Sequence, residues 1–364
     1  MSNTSRDTTR DTRHATPIRV LVVDDSAYMR FTLSKYLSEA PGLAVAGTAR
    51  DGAEALELIL KLQPDVVTLD VEMPHMDGLT ALREIMTSCP LPVVMLSSLT
   101  TEGASETVQA LTWGAVDFVA KPSAKANVAV IMEEVVGKVR AAAQARVSRV
   151  ACRVSRVVTC HSSPVTRHSF TTRALRSGDK VVVIGASTGG PRALYTVVPQ
   201  LPKNLAAAVL IVQHMPVGFT RSLAERLNAV SPLAVKEAGP GDALEVGRAL
   251  LAPGGFHMTV DADSRVALNQ APTVHGVRPA VDVTLTSVAQ RLGARSVGVI
   301  LTGMGRDGTD GAGLIHRAGG RVIAEDESTC VVWGMPRSVA EAGVADVIAP
   351  LAEIPAAIER MVKE

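Results

Sequence analysis

The chain has 364 residues, 47% hydrophobic and 20% charged, with 37 Lys and Arg against 36 Asp and Glu for a formal charge of +1. At roughly 150 residues per domain this length implies two domains or three, and the balance of apolar and charged residues excludes a wholly disordered chain. Aromatic residues at 3% exclude a stacking platform for single-stranded nucleic acid, and the near-zero charge gives no polyanion-binding excess, so no nucleic-acid partner is expected. The four cysteines, Cys89, Cys152, Cys160 and Cys330, are too few for a disulfide scaffold and fit reduced thiols in the cytoplasm. No run approaches the ~18 apolar residues of a spanning helix, so membrane contact is expected only through a partner.

Residues 1–17 are rich in Thr, Arg and Asp without an apolar stretch and read as a disordered tail rather than a secretory signal. From Ile18, short β-branched runs (IRVLVVDD, GLAVAGTA, DVVTLDVEMP, LPVVMLSS, AVDFVAKP) alternate with helical patterns from Ala27, Gly52, Asp77 and Glu102, and a last helix is expected over 128–145. This predicts a β/α domain with five parallel strands over residues 18–140. A second alternating block occupies 179–364, through KVVVIGAS, AAAVLIVQHMP, RALLAPGG, SVGVILTG, GGRVIAED and ADVIAP. Its rhythm is broken by HMTVDADSRVALN, a hairpin pattern that predicts a mixed, mostly parallel, Rossmann-like sheet.

Between the blocks, residues 138–180 hold ten Lys or Arg and one acid, Asp179, so 141–178 reads as a basic, flexible linker. Taking that segment away leaves 27 basic against 35 acidic residues, so the +1 is a cancellation between an acidic pair of domains and a cationic tether. Cys152, Cys160, His161 and His168 are metal-ligand types, but their spacing matches no common zinc knuckle.

Asp24 and Asp25 end the first predicted strand, Asp70 the third, Ser97 the fourth and Lys121 the fifth. In an open parallel sheet those ends converge on one crevice. Clustered carboxylates repel unless a cation neutralises them, and hard oxygen ligands with open positions suit Mg²⁺. Lys121 and Ser97 would then meet an added phosphoryl group.

In the second block, VVVIGASTGGPRAL ends a buried strand on Ser187 among glycines and starts a helix at Pro191, which exposes the hydroxyl near helix N-terminal amides. No Gly-Lys-Ser/Thr follows, and GASTGG departs from G-x-G-x-x-G, which weakens a phosphate-loop reading. His214, ending the next strand in LIVQHMP, can serve as the base. A carboxylate to orient the imidazole is sought in SVGVILTGMGRDGTDGAG, where Asp307 is favoured over Asp310, whose alternative role is to cap the following helix. An α/β-hydrolase order of Ser, acid, His would leave only His316, inside a predicted helix, as base.

VLVVDDS, LDVEMPHMDG and FVAKP resemble the receiver domain of two-component response regulators; IGASTGGP, QHMP and LTGMGRDG resemble the catalytic domain of the chemotaxis protein-glutamate methylesterases, the CheB family, whose domain order the whole chain matches. The resemblance implies that Asp70 is the phosphoacceptor for a histidine kinase. It also implies that Asp25 and Asp70 contact Mg²⁺ with Asp24 in support, and that Ser97 and Phe118 report the phosphate. It implies γ-glutamyl methyl esters of chemoreceptors as substrate, hydrolysed without a cofactor through Ser187, His214 and Asp307, with the backbone amide of Met304 in the oxyanion site. Deamidation of receptor glutamines and coverage of the catalytic cleft by the unphosphorylated receiver are implied as well. Ala280 in HGVRPAVD stands where the family commonly carries Ser, removing a hydroxyl expected to face the substrate. A DNA-binding output domain would instead call for a helix-turn-helix, which the second block does not show.

Overall fold

The computed structural model describes residues 16–98, 100–121, 128–145 and 171–364. Most of the tail and residues 146–170, with Cys152, Cys160, His161 and His168, lie outside the described residues.

The N-terminal domain runs β1 (Ile18–Val23), α1 (Ala27–Glu39), β2 (Leu43–Ala49), α2 (Gly52–Leu62), β3 (Val66–Asp70), α3 (Gly78–Ser88), β4 (Val93–Ser97), α4 (Thr101–Trp113), β5 (Asp117–Ala120) and α5 (Val128–Gln144). Its five strands pair in parallel in the order β2-β1-β3-β4-β5. Every residue of β3 and β4 is buried, which is why both read as unbroken runs rather than alternations. Four helices start on a polar side chain that accepts a first-turn amide: Ser26, Asp51, Asp77 and Thr100. Each such cap contributes about 1 kcal/mol and fixes where strand end gives way to helix.

The C-terminal domain runs β6 (Arg173–Ala174), β7 (Lys180–Ala186), α6 (Gly190–Val197), β8 (Ala207–Gln213), α7 (Phe219–Val230), β9 (Ala234–Glu237), β10 (Glu245–Val246) and β11 (Arg248–Leu251). It continues through β12 (His257–Val260), β13 (Val266–Asn269), α8 (Val281–Leu292), β14 (Ser296–Ile300), α9 (Thr309–Arg317), β15 (Arg321–Glu325), α10 (Met335–Glu341), β16 (Val347–Ala349) and α11 (Ile354–Lys363). The main sheet has the order β16-β15-β14-β7-β8-β11-β9, and all its pairs are parallel. The expected hairpin forms as β12 and β13 but makes its own antiparallel sheet, so the main sheet is not mixed. Strand β9 was not foreseen; only four residues long, at the sheet edge, it offers little periodicity. From β7 the chain winds to one side through β8 and later returns to the other at β14. This switch point opens a crevice at the carboxyl end of β7.

The domains pack directly. Ala104, Val108 and Leu111 of α4 share one apolar core with Ala193 and Leu194 of α6 and Leu223 of α7. Phe118 stacks on Phe219 with ring centroids 4.5 Å apart, and Arg226 donates to the Ser105 carbonyl at 3.0 Å. At the edges of the basic segment, Arg140 donates to the Pro41 carbonyl and Arg173 pairs with Asp179.

Candidate active site

Ser187 follows β7, whose apolar run is buried from Val181 to Ala186. The chain then turns through Gly189 at φ +78°, where a Cβ would stand 2.6 Å from that of Val331, and enters α6 with Pro191 in the first turn. The half-buried Ser187 donates its backbone N–H to the Thr302 carbonyl at 3.0 Å. Gly303 lies against it closely enough that a Cβ there would sit 2.8 Å from the Ser187 Cβ, and the exposed Met304 follows.

His214 stands one residue beyond β8. Because Ala186 and Gln213 are register partners, Ser187 and His214 leave neighbouring strands side by side, joined by the His214 N–H to the Ala186 carbonyl at 3.1 Å. Among the described residues no hydrogen bond links the Ser187 hydroxyl to the imidazole. His214 Nε2 is 2.7 Å from Asp307 Oδ2, which leaves Nδ1 as the nitrogen for a proton acceptor.

Asp307 is 2% exposed and also accepts the amides of Val281 at 2.7 Å and Asp282 at 2.9 Å, the first turn of α8. Burial pushes its carboxyl up, but the hydrogen bond and charge of His214 and the two amides outweigh it and hold the group below the usual carboxylate range. Asp310 is exposed and pairs with Arg306 at 2.9 Å, and among the described residues no hydrogen bond or ion pair links it to His214.

A second pair was missed in the sequence: His275 Nε2 lies 2.9 Å from Asp282 Oδ2, and Asp282 Oδ1 accepts the Gly311 amide at 2.7 Å. Burial, with the charge of Asp307 beside it, pushes Asp282 above the usual range. Nothing in the spacing marks this pair, because a loop turn alone brings His275 onto the helix.

Position 280 lies at a helix start. Ala280 is 0% exposed and is the N-cap residue of α8, with its amide 3.3 Å from His257 Nδ1. A serine there would stand at the start of α8.

In the N-terminal domain, carboxylate oxygens of Asp24, Asp25 and Asp70 lie within 4.8 Å of one another, with Asp24 and Asp70 buried and Asp25 exposed. Lys121 Nζ is 2.6 Å from Asp70 and 2.9 Å from Asp24, where Oδ2 has the ion pair but no aligned hydrogen bond. Three hard oxygens, one open to solvent, form a donor set that fits Mg²⁺. Burial pushes Asp70 up to about 6 against the pull of the Lys121 ammonium. The buried Ser97 hydroxyl donates to the carbonyls of Gly103 at 3.1 Å and Ser98 at 3.2 Å, and Phe118 is buried in the stack with Phe219.

A hydrogen bond also links the neighbourhoods of the two sites. Thr188, next to Ser187, donates its hydroxyl to Asp117 Oδ2 at 2.5 Å, from the first residue of β5. Lys138 of α5 sits 3.2 Å from Asp117 and 2.8 Å from Glu134, and donates to the Phe118 carbonyl. Burial lowers the lysine's pKa, and the two acids raise it by more.

Residues 182–358 match the model of the CheB methylesterase family, and residues 20–133 match that of the response regulator receiver domain. A protein-glutamate methylesterase/protein-glutamine glutaminase of Symbiobacterium thermophilum is 54% identical over 359 residues, covering 96% of this chain and 98% of that protein. One of the same description from Pyrococcus abyssi is 46% identical over 351 residues, 95% of this chain and 94% of that protein. Among solved structures, the Thermotoga maritima CheB methylesterase catalytic domain is 49% identical with a TM-score of 0.50, covering 50% of this chain and 99% of that one.

Proposed function

The chain belongs to the CheB family of protein-glutamate methylesterase/protein-glutamine glutaminases, with a response regulator receiver domain ahead of the methylesterase domain, and from that premise we propose a phosphorylation-activated esterase acting on γ-glutamyl methyl esters of chemoreceptors. The receiver occupies residues 18–140, a linker 141–178 and the catalytic domain 179–364. The observation that carries the reading is the arrangement at the switch point: Ser187 and His214 leave adjacent strands, and the imidazole is anchored on Asp307 through Nε2.

In the mechanism, Ser187 Oγ attacks the ester carbonyl while His214 Nδ1 takes its proton. Asp307 keeps Nε2–H in place and stabilises the imidazolium. The oxyanion is received by the amide of Met304, a donor of a kind worth about 3 kcal/mol at the transition state. His214 returns the proton to the departing methoxy oxygen, so methanol leaves; water, deprotonated by the same nitrogen, then attacks the acyl-enzyme, and the proton passes back to Ser187 Oγ as the glutamate is released. A glutamine substrate gives the same acyl-enzyme with ammonia as leaving group. The resulting change in receptor charge is the adaptation step of chemotaxis.

Control belongs to the receiver. A histidine kinase is the phosphodonor for Asp70, and Asp25 and Asp70 are the residues that would hold Mg²⁺, with Asp24 in support. The bound ion supplies the charge neutralisation that a phosphoryl group among carboxylates requires. Lys121 moves its ion pair to the phosphoryl oxygens, Ser97 adds a hydrogen bond, and Phe118 carries the change to its stack on Phe219. Loosening that interface shifts closed molecules to open ones. No described helix is long and apolar enough to cross a membrane, so the enzyme meets the membrane through its receptor substrates.

Methanol release from methylated receptor membranes, with and without a small phosphodonor, tests both halves. Activity should rise on phosphorylation, vanish in Ser187→Ala and lose only its stimulation in Asp70→Asn. Methanol release by Ser187→Ala, or stimulation retained by Asp70→Asn, would overturn the corresponding half.

A further inference from the structure

Gln213 is the last residue of β8, 2% exposed, and its side chain does something the strands themselves do not. Beyond the register pair Ala186 and Gln213, the ladder between β7 and β8 ends at the His214 N–H bond to Ala186. There the Gln213 side chain takes over. Its Nε2 donates to the Ser187 carbonyl at 2.9 Å and to the His214 carbonyl at 3.2 Å. Both partners are carbonyl oxygens, which only accept, so the amide nitrogen and not the oxygen must face them.

Two further observations show that this orientation is held at a cost. Oε1 is buried and has no hydrogen-bond partner among the described residues. It also occupies space beside α6, where a Cβ on Gly190 would lie 2.0 Å from it, so the turn must carry glycine at 190 to admit the side chain. A glutamine left with an orphaned acceptor against a backbone made small for it is placed for the two bonds its nitrogen makes.

We propose that Gln213 is a positioning residue that staples the backbone of the nucleophile to the backbone of the base, setting the distance from Ser187 Oγ to His214 Nδ1. The inference rests on the assignment of Ser187 and His214 given above. Asp307 holds the imidazole itself, through Nε2; Gln213 ties together the two backbones from which the imidazole and the serine hydroxyl project. Together they leave the imidazole little freedom to drift from the hydroxyl. Misplacement of reacting groups by about 1 Å can cost on the order of a hundredfold in rate.

The test uses the full-length protein with Gln213→Leu and the isosteric Gln213→Glu, read against Ser187→Ala. In Gln213→Leu, kcat for methanol release should fall about 10- to 100-fold with KM within about twofold, and phosphonofluoridate labelling of Ser187 should slow in parallel. Phosphorylation of Asp70 by a small phosphodonor should proceed as in the parent and reports intact folding. Gln213→Glu should carry a distinctive pH signature. A protonated carboxyl can still donate to one carbonyl, whereas the ionised form only accepts and is repelled by both. Its activity relative to the parent should therefore fall as pH rises. A kcat and labelling rate within twofold of the parent in Gln213→Leu, or a pH-independent ratio in Gln213→Glu, would overturn the staple. Activity persisting in Ser187→Ala would instead remove the assignment beneath it.

Discussion

The two crevices sit at the carboxyl ends of parallel strands, yet they treat their carboxylates in opposite ways. In the receiver, three acids share one pocket and burial pushes Asp70 up to about 6, even with the Lys121 ammonium 2.6 Å away. In the catalytic domain Asp307 is as deeply buried, but it faces an imidazole and two backbone amides and is held below the usual range. The lesson is about what supplies the compensating charge. A helix start provides N–H groups that point at an anion and cannot diffuse away, so Asp307 needs no added ion. Among the described residues the acid cluster has one ion-paired cation, Lys121, for three carboxylates, so it forms a hard-oxygen donor set whose repulsion a divalent ion can relieve.

The sharpest way to break the comparison is Asp307→Asn. If Asp307 works through its charge on the imidazole, methanol release should fall by about 10³- to 10⁴-fold while Asp70 phosphorylation is untouched. If it serves only to cap α8, the variant should show a lowered melting temperature and nearly parental kcat. A smaller effect is expected at the contact between the two regions. Asp117→Ala removes the acceptor of the Thr188 hydroxyl, and hydrogen bonds to charged groups are worth about 1.5 kcal/mol or more. Basal activity without phosphodonor should rise about tenfold, and phosphorylation should add correspondingly less. An unchanged basal rate would show that the receiver closes the enzyme through its other contacts, the shared apolar core and the Arg226 bond to Ser105.

The features legible in the sequence share a physical cause: each is set by residues next to one another in the chain. Strands β3 and β4 announce themselves as apolar runs, and the helical patterns from Ala27 and Gly52 start where α1 and α2 do, because periodicity is local. The acids, Ser187 and His214 were readable as strand-end residues, since in a parallel sheet all such ends converge. What escaped depends on distant segments meeting. The pairing of His275 with Asp282 follows from a loop turn without a spacing signature. The donation of Gln213 to two carbonyls follows from strand register. Thr188 meets Asp117 only because one domain docks on the other across 71 residues of chain.

Position 280 offers the finest test, because it asks how completely Asp307 caps α8. The carboxylate already takes the amides of Val281 and Asp282, the first two of the helix, and Ala280 as N-cap has no side chain to offer the third. Ala280→Ser would place a hydroxyl within reach of the Val283 amide, a contribution of about 0.5–1 kcal/mol at the low end of the N-cap range because two of the amides are already satisfied. Thermal denaturation should register a rise of roughly 1–4 °C for a domain of this size. Methanol release should keep its KM and kcat, since the side chain at 280 is fully buried. A lowered KM with no gain in stability would return the hydroxyl to the substrate and show that Asp307 leaves the helix start nothing further to satisfy.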